Sequence, residues 1–158
     1  MRAYARKYGG DEELWGAVGL IHDFDYEQHP SPEEHPAVGA GILREKGWPE
    51  EAVRAVLSHG DHTGVTRESR MEKALYAVDE LTGFITAVAL VRPSKSLDDL
   101  KAKSVKKKMK DKAFAAAVGR EELRGGAEDL GEDFTEHVDF VIQAMRAVQE
   151  ELGFQRLD

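Results

Sequence analysis

The chain has 158 residues, the length of one domain with a single core. It contains no cysteine, which excludes disulfides, thiolate metal ligands and a cysteine nucleophile, so any metal must sit on histidine and carboxylate. A formal charge of −8 disfavours general nucleic-acid binding, which draws on phosphate neutralisation by basic residues. The opening, Met1 to Lys7, has no apolar h-region, and no later segment approaches the uninterrupted apolar length of a membrane span. A soluble cytoplasmic protein is the default expectation.

Apolar residues recur at helical spacing almost throughout, and no stretch combines strict alternation with β-branched enrichment and turn signals, which predicts an all-α fold. The first helix ends near Tyr8, because Gly9-Gly10 followed by Asp11 makes a stop and then an N-cap. The second runs from about Asp11 to His22 and buries Leu14, Trp15, Val18 and Ile21. Residues 26–34 carry Pro30 and Pro32 and form a loop. His35 precedes Pro36, and proline is tolerated at the first helical position, so His35 is expected to be the N-cap of a helix reaching about Lys46. Gly47-Trp48-Pro49 breaks that helix and starts another, Glu50 to Ser58, with Val53, Val56 and Leu57 inward and His59 at its end. Residues 60–67 form a polar turn. A long helix follows over about Ser69 to Val91, ended by Pro93. The lysine-rich stretch Ser94 to Asp111 reads as a short helix with loops, and Glu121 to Leu130 and Phe134 to Leu152 as two closing helices.

The adjacent pair His22-Asp23, at the end of the second helix, can offer one metal ion an imidazole nitrogen and a carboxylate oxygen. Alone, such a dipeptide reads equally well as a solvated helix end. Here five of the six histidines fall between residues 22 and 62, and His35, His59, Asp61, His62 and Asp79 follow the pair as further ligand types. On the long helix Asp79 shares its face with Thr82, Gly83 and Thr86, whereas Leu75, Val78, Leu81 and Ile85 are positioned for the core. An acidic residue beside small ones brings a carboxylate to a metal and leaves room for a ligand. Beyond that helix stand Arg92, Lys95, Lys103, Lys106 and Lys107, cations that offset phosphate charge in an otherwise acidic protein. Any one lysine reads ordinarily as part of a solvated face. Arg92, Lys95 and Lys107 are taken as the substrate-binding candidates.

The order His22-Asp23, then His35-Pro36 with a glycine soon after, then a helix ending Ser58-His59, then Val78-Asp79-Glu80-Leu81, resembles the HD-domain superfamily of metal-dependent phosphohydrolases. Within it the chain looks most like the small stand-alone HDIG-type proteins, and Val88 to Ser96 and Ser104 to Met109 look like the rest of that subfamily. The resemblance implies a single-domain helical bundle over residues 1–158, with a metal-site core at about 11–91 and C-terminal helices at about 96–153 packing on it.

Residue by residue, it implies that His22, Asp23 and Asp79 are the metal ligands of a His…His-Asp…Asp signature, and that His35 and His59 are extra histidines able to hold a second ion. Asp23 would then be the bridging carboxylate between two metals about 3.5–4 Å apart. Imidazole and carboxylate permit manganese, iron, cobalt, nickel or zinc. The implied reaction is hydrolysis of a nucleotide or another small phosphate ester by a metal-activated water, whose pKa falls from about 15.7 toward about 7. Asp61 or Glu80 would be the general base and His62 a donor to a phosphate oxygen or leaving group. Asp61 also reads as a cap of the turn from Gly60 to Gly64.

The signature opens with a histidine on the first helix, and residues 1–21 contain none. Helix-forming residues follow Met1 without a cap, so a start in mid-helix is expected, with about one to three upstream turns supplying the ligand. The other reading is a catalytically degenerate module that binds a nucleotide or a partner protein.

Overall fold

Eight α-helices and one short 3-10 turn make up the regular structure of residues 1–157, the part of the chain that the computed structural model describes, and no strand occurs among them. The fold is all-α, as the apolar spacing predicts. The chain groups into two compact units, Met1–Tyr76 and a second from Ala77 onward. Among the described residues no helix is long and apolar enough to cross a membrane.

In the first unit α1 (Arg2–Tyr8) stops at Gly9, whose φ of 70° is the left-handed conformation that glycine adopts without a Cβ clash. The next helix, α2 (Glu12–Ile21), starts where the Asp11 carboxylate accepts from the Glu13 and Leu14 amides. Trp15 and Val18 are buried on it, while Leu14 and Ile21 are only partly covered. Helices α3 (Ala37–Glu45) and α4 (Glu50–Ser58) pack through Ala40, Leu43, Val53 and Val56, with Ile21, Trp48 and Leu57 against that cluster. The end of α2 and the end of α4 are thereby held on one core.

His35 is not the cap that Pro36 predicts. Helix α3 begins at Ala37, with Pro36 in the cap position after a cis His35-Pro36 bond. The His35 ring is engaged with a carboxylate ten residues earlier and so does not serve the helix backbone.

Helix α5 (Arg70–Leu90) runs from the first unit into the second. There α6 (Ala102–Lys108), α7 (Arg120–Leu130) and α8 (Phe134–Ala147) follow. Gly126 of α7 lies against the Ala77 backbone, where a Cβ would come within 2.8 Å of the Ala77 Cα. Helix α8 ends at Ala147, short of the expected Leu152, because Gln149 turns inward. Its amide is fully buried, accepting from the Leu97 N–H and donating to Asp98. Asp98 also accepts from the Leu157 N–H, tying down the chain's last described residue.

Candidate metal centre

Two of the predicted ligands sit at helix C-termini for the same reason. The last carbonyls of an α-helix have no intrahelical donor, and a histidine placed just beyond the helix can reach back to one. His22 does so after α2, its Nδ1 lying 3.0 Å from the Gly19 carbonyl oxygen. His59 does so after α4, its Nδ1 lying 2.5 Å from the Val56 carbonyl oxygen. Since a carbonyl only accepts, each Nδ1 carries the hydrogen, and each Nε2 is the nitrogen directed elsewhere.

Those Nε2 atoms face Asp23. Asp23 Oδ1 lies 3.3 Å from His59 Nε2 and 3.2 Å from His35 Nε2, and the two Nε2 atoms are 3.3 Å apart. The other carboxylate oxygen, Oδ2, faces His22 Nε2 at 3.6 Å. The His35 and His59 side chains are 8% and 7% exposed and that of Asp23 is 51% exposed, so the carboxylate stands at the mouth of an otherwise covered site.

Asp23 Oδ1, His35 Nε2 and His59 Nε2 form a nearly equilateral triangle of atoms that accept hydrogen bonds when the rings are neutral. Three lone pairs this close repel unless a proton or a cation lies among them. Ligand distances of about 2.0–2.1 Å in a tetrahedral site place ligand atoms about 3.3–3.4 Å apart. The triangle fits one face of such a site. When the rings are protonated, the His59 hydrogen bond holds the Asp23 carboxyl below the usual carboxylate range. Partial burial opposes this, and the positive charges of His22, His59 and His35 reinforce it.

A residue that the sequence reading missed completes the cluster. Asp25, whose side chain is only 1% exposed, accepts from His35 Nδ1 at 2.8 Å and from the Gly39 amide at 2.7 Å. The signal for it was the glycine after His35-Pro36. A Cβ on Gly39 would stand 2.7 Å from the Asp25 Cγ, so this position in α3 is kept bare by a carboxylate that no local pattern connects to it.

Asp61, His62 and the cations after α5 stand in other settings. Asp61 and His62 belong to the 3-10 turn Asp61–Thr63. Asp61 accepts from Arg67 at 2.8 Å and from the Tyr76 hydroxyl at 3.0 Å, and the Arg67 guanidinium stacks over the Tyr76 ring. Burial pushes the Asp61 carboxyl up, but the Arg67 and Tyr76 hydrogen bonds and the charges of Arg67 and His62 outweigh it and leave the group below its usual range. A carboxylate so held is a weak base and an effective anchor for the turn. His62 donates from Nε2 to the His35 carbonyl at 2.8 Å, which ties the turn to the backbone of a ligand-type residue. Asp79 is partly exposed on α5, in the second unit, with the exposed Glu80 after it. Arg92 is engaged with Asp99 and Ser104, while Lys95 and Lys107 are exposed.

An all-helical chain with three imidazoles converging on one half-exposed carboxylate has the donor set of a divalent-metal protein. The family model of the HD domain matches residues 1–83, more than half of the chain, and the chain belongs to that family. The HD domain is a family of metal-dependent phosphohydrolases whose members typically bind divalent metals. No curated protein and no solved structure matches the chain.

Proposed function

We propose that this protein is a metal-dependent phosphohydrolase acting on a nucleotide or another small phosphate ester. The observation that carries the reading is the division of Asp23, whose Oδ1 faces His35 and His59 and whose Oδ2 faces His22. Asp23 would hold one divalent ion together with His35 and His59, and with His22 it would share in holding a second. A divalent ion supplies an activated water and a Lewis acid for phosphorus–oxygen cleavage.

The chain's own residues do the rest. His35 and His59 present Nε2 lone pairs from rings whose other nitrogen is hydrogen-bonded. Asp23, the exposed member of the cluster, has acceptor oxygens that can take a hydrogen from a water at the site, whereas it offers an anionic phosphate no donor. The turn anchored by Asp61, Arg67 and Tyr76 holds His62 against the His35 backbone, next to the ligand set. Lys95 and Lys107 are the proposed contacts for the substrate's remaining charge, and the pairing of Arg92 with Asp99 gives it a smaller part.

The test is reconstitution of metal-depleted protein with manganese, iron, cobalt, nickel and zinc in turn. Bound metal is then measured, and hydrolysis is followed over a panel of nucleotides and other phosphate esters. Stoichiometric metal with turnover of at least one ester is expected. Turnover with none of the five metals would sink the reading.

A further inference from the structure

Asp25 is the most deeply buried of the charged groups around the cluster, and both of its oxygens are committed, Oδ1 to His35 Nδ1 and Oδ2 to the Gly39 amide. We propose that Asp25 is a positioning residue: it fixes the His35 hydrogen on Nδ1 and so presents the bare Nε2 to a metal ion. The inference rests on the metal-dependent reading above and adds to it the residue that decides which nitrogen of His35 can ligate.

A carboxylate has only acceptor atoms, so the ring nitrogen facing it must carry the hydrogen. The Gly39 amide has only a donor, and at 2.7 Å it holds the second oxygen and stops the carboxylate from turning. Gly39 also explains why the group fits, since any side chain there would overlap Asp25. His22 and His59 obtain the same arrangement from backbone carbonyls, which no side-chain substitution removes. His35 alone depends on a replaceable carboxylate.

Asp25→Asn keeps the shape and breaks the logic. Its single carbonyl oxygen is needed by the Gly39 N–H, which leaves the amide NH2 facing His35 Nδ1. That nitrogen must then accept, and the hydrogen moves to Nε2, where it points at Asp23 Oδ1 and His59 Nε2 and blocks the lone pair. The opposite amide orientation puts the NH2 against the Gly39 N–H, two donors face to face.

The experiment uses long-range 1H–15N spectra of the histidine rings in the metal-free protein at mildly alkaline pH, with titration of Zn2+ and of Mn2+ by calorimetry. Wild type is expected to show His35 with its hydrogen on Nδ1. Asp25→Asn is expected to move it to Nε2, leave the His59 pattern unchanged, and weaken binding of both metals by about 10- to 100-fold. A wild-type His35 with its hydrogen on Nε2 overturns the proposal without any variant. So does an Asp25→Asn protein whose His35 hydrogen stays on Nδ1 or whose metal affinities are unchanged. A wild-type protein that binds neither ion would sink the metal-dependent reading, while a shift of the hydrogen to Nε2 in Asp25→Asn would still support the role of Asp25.

Discussion

In the first unit the imidazoles of His22, His35 and His59 direct Nε2 toward Asp23, whereas in the second unit His137 lies fully buried with its Nε2 donating to the Ala77 carbonyl at 3.0 Å. The residue is the same and the outcome opposite, because the nitrogen that meets a fixed acceptor differs. Where a nearby carbonyl or carboxylate takes Nδ1, the outer nitrogen is left to face a ligand. Where a helix backbone takes Nε2, the ring becomes a packing element with a polar tip. A ligand histidine is therefore identified by its hydrogen-bond partner as much as by its neighbours in sequence.

The change expected to have the largest effect attacks the shared point of the first cluster. Under the proposed function Asp23→Ala removes the carboxylate that all three imidazoles face, so metal affinity and the proposed phosphatase activity should fall by more than the roughly 10- to 100-fold that losing an outer hydrogen-bond partner costs. Metal titration and turnover assays check this. Added metal should also stabilise wild type by about 2.7 kcal/mol when free metal is about 100 times its Kd, and Asp23→Ala far less. An equal thermal shift in both would break the comparison.

On the other side, His137→Ala should lower stability by about 2–3 kcal/mol, toward the upper part of the ordinary range for single substitutions. Denaturant unfolding should register that loss while metal affinity stays at the wild-type value. If metal binding falls instead, His137 does not belong to packing alone. Gly126→Ala probes the same Ala77 backbone from α7, where the added Cβ would meet the Ala77 Cα at 2.8 Å. A loss of about 1–2 kcal/mol is expected from such overpacking. A neutral effect would mean that α7 shifts freely.

The smallest effect is a pH dependence confined to the second unit. The Leu157 N–H and then the Gln149 amide hold the Asp98 carboxyl below its usual range. A folded pKa below the unfolded one gives stability that is present above about pH 3.9 and is lost as pH falls through the folded value. The difference in melting temperature between wild type and Asp98→Asn should therefore shrink on acidification below about pH 4, and a gap that widens there would reverse the sign.

Much of the scaffold was legible before the structure. Gly9, Asp11 and Pro49 mark helix ends that such stop and start residues locate within a residue or two. Two boundaries failed for tertiary reasons. His35 is drawn away from the start of α3 by Asp25, and α8 stops early because Gln149 satisfies Leu97 and Asp98 across the fold. The cluster was legible as a set of residue types, since His22, Asp23, His35 and His59 are all named by pattern and their side chains stand together. The role of Asp25 was not. Asp61 reads as a base or as a cap of its turn, and Arg67 and Tyr76 on its oxygens favour the turn, whereas Asp25 is one more acidic residue beside a His-Asp pair until its burial is known.

By itself the sequence determined the helical class, the absence of thiolate chemistry and the positions of histidines at helix ends, because each follows from composition or from periodicity within a few turns. The tertiary structure decided that the Nε2 atoms of His35 and His59 meet at Asp23, and that Asp25 and Gly39 stand together behind His35. Those outcomes depend on atoms brought within about 3 Å across gaps of ten residues or more. A hydrogen bond tests distance and direction between side chains, and neither is encoded in the spacing of residue types along a chain.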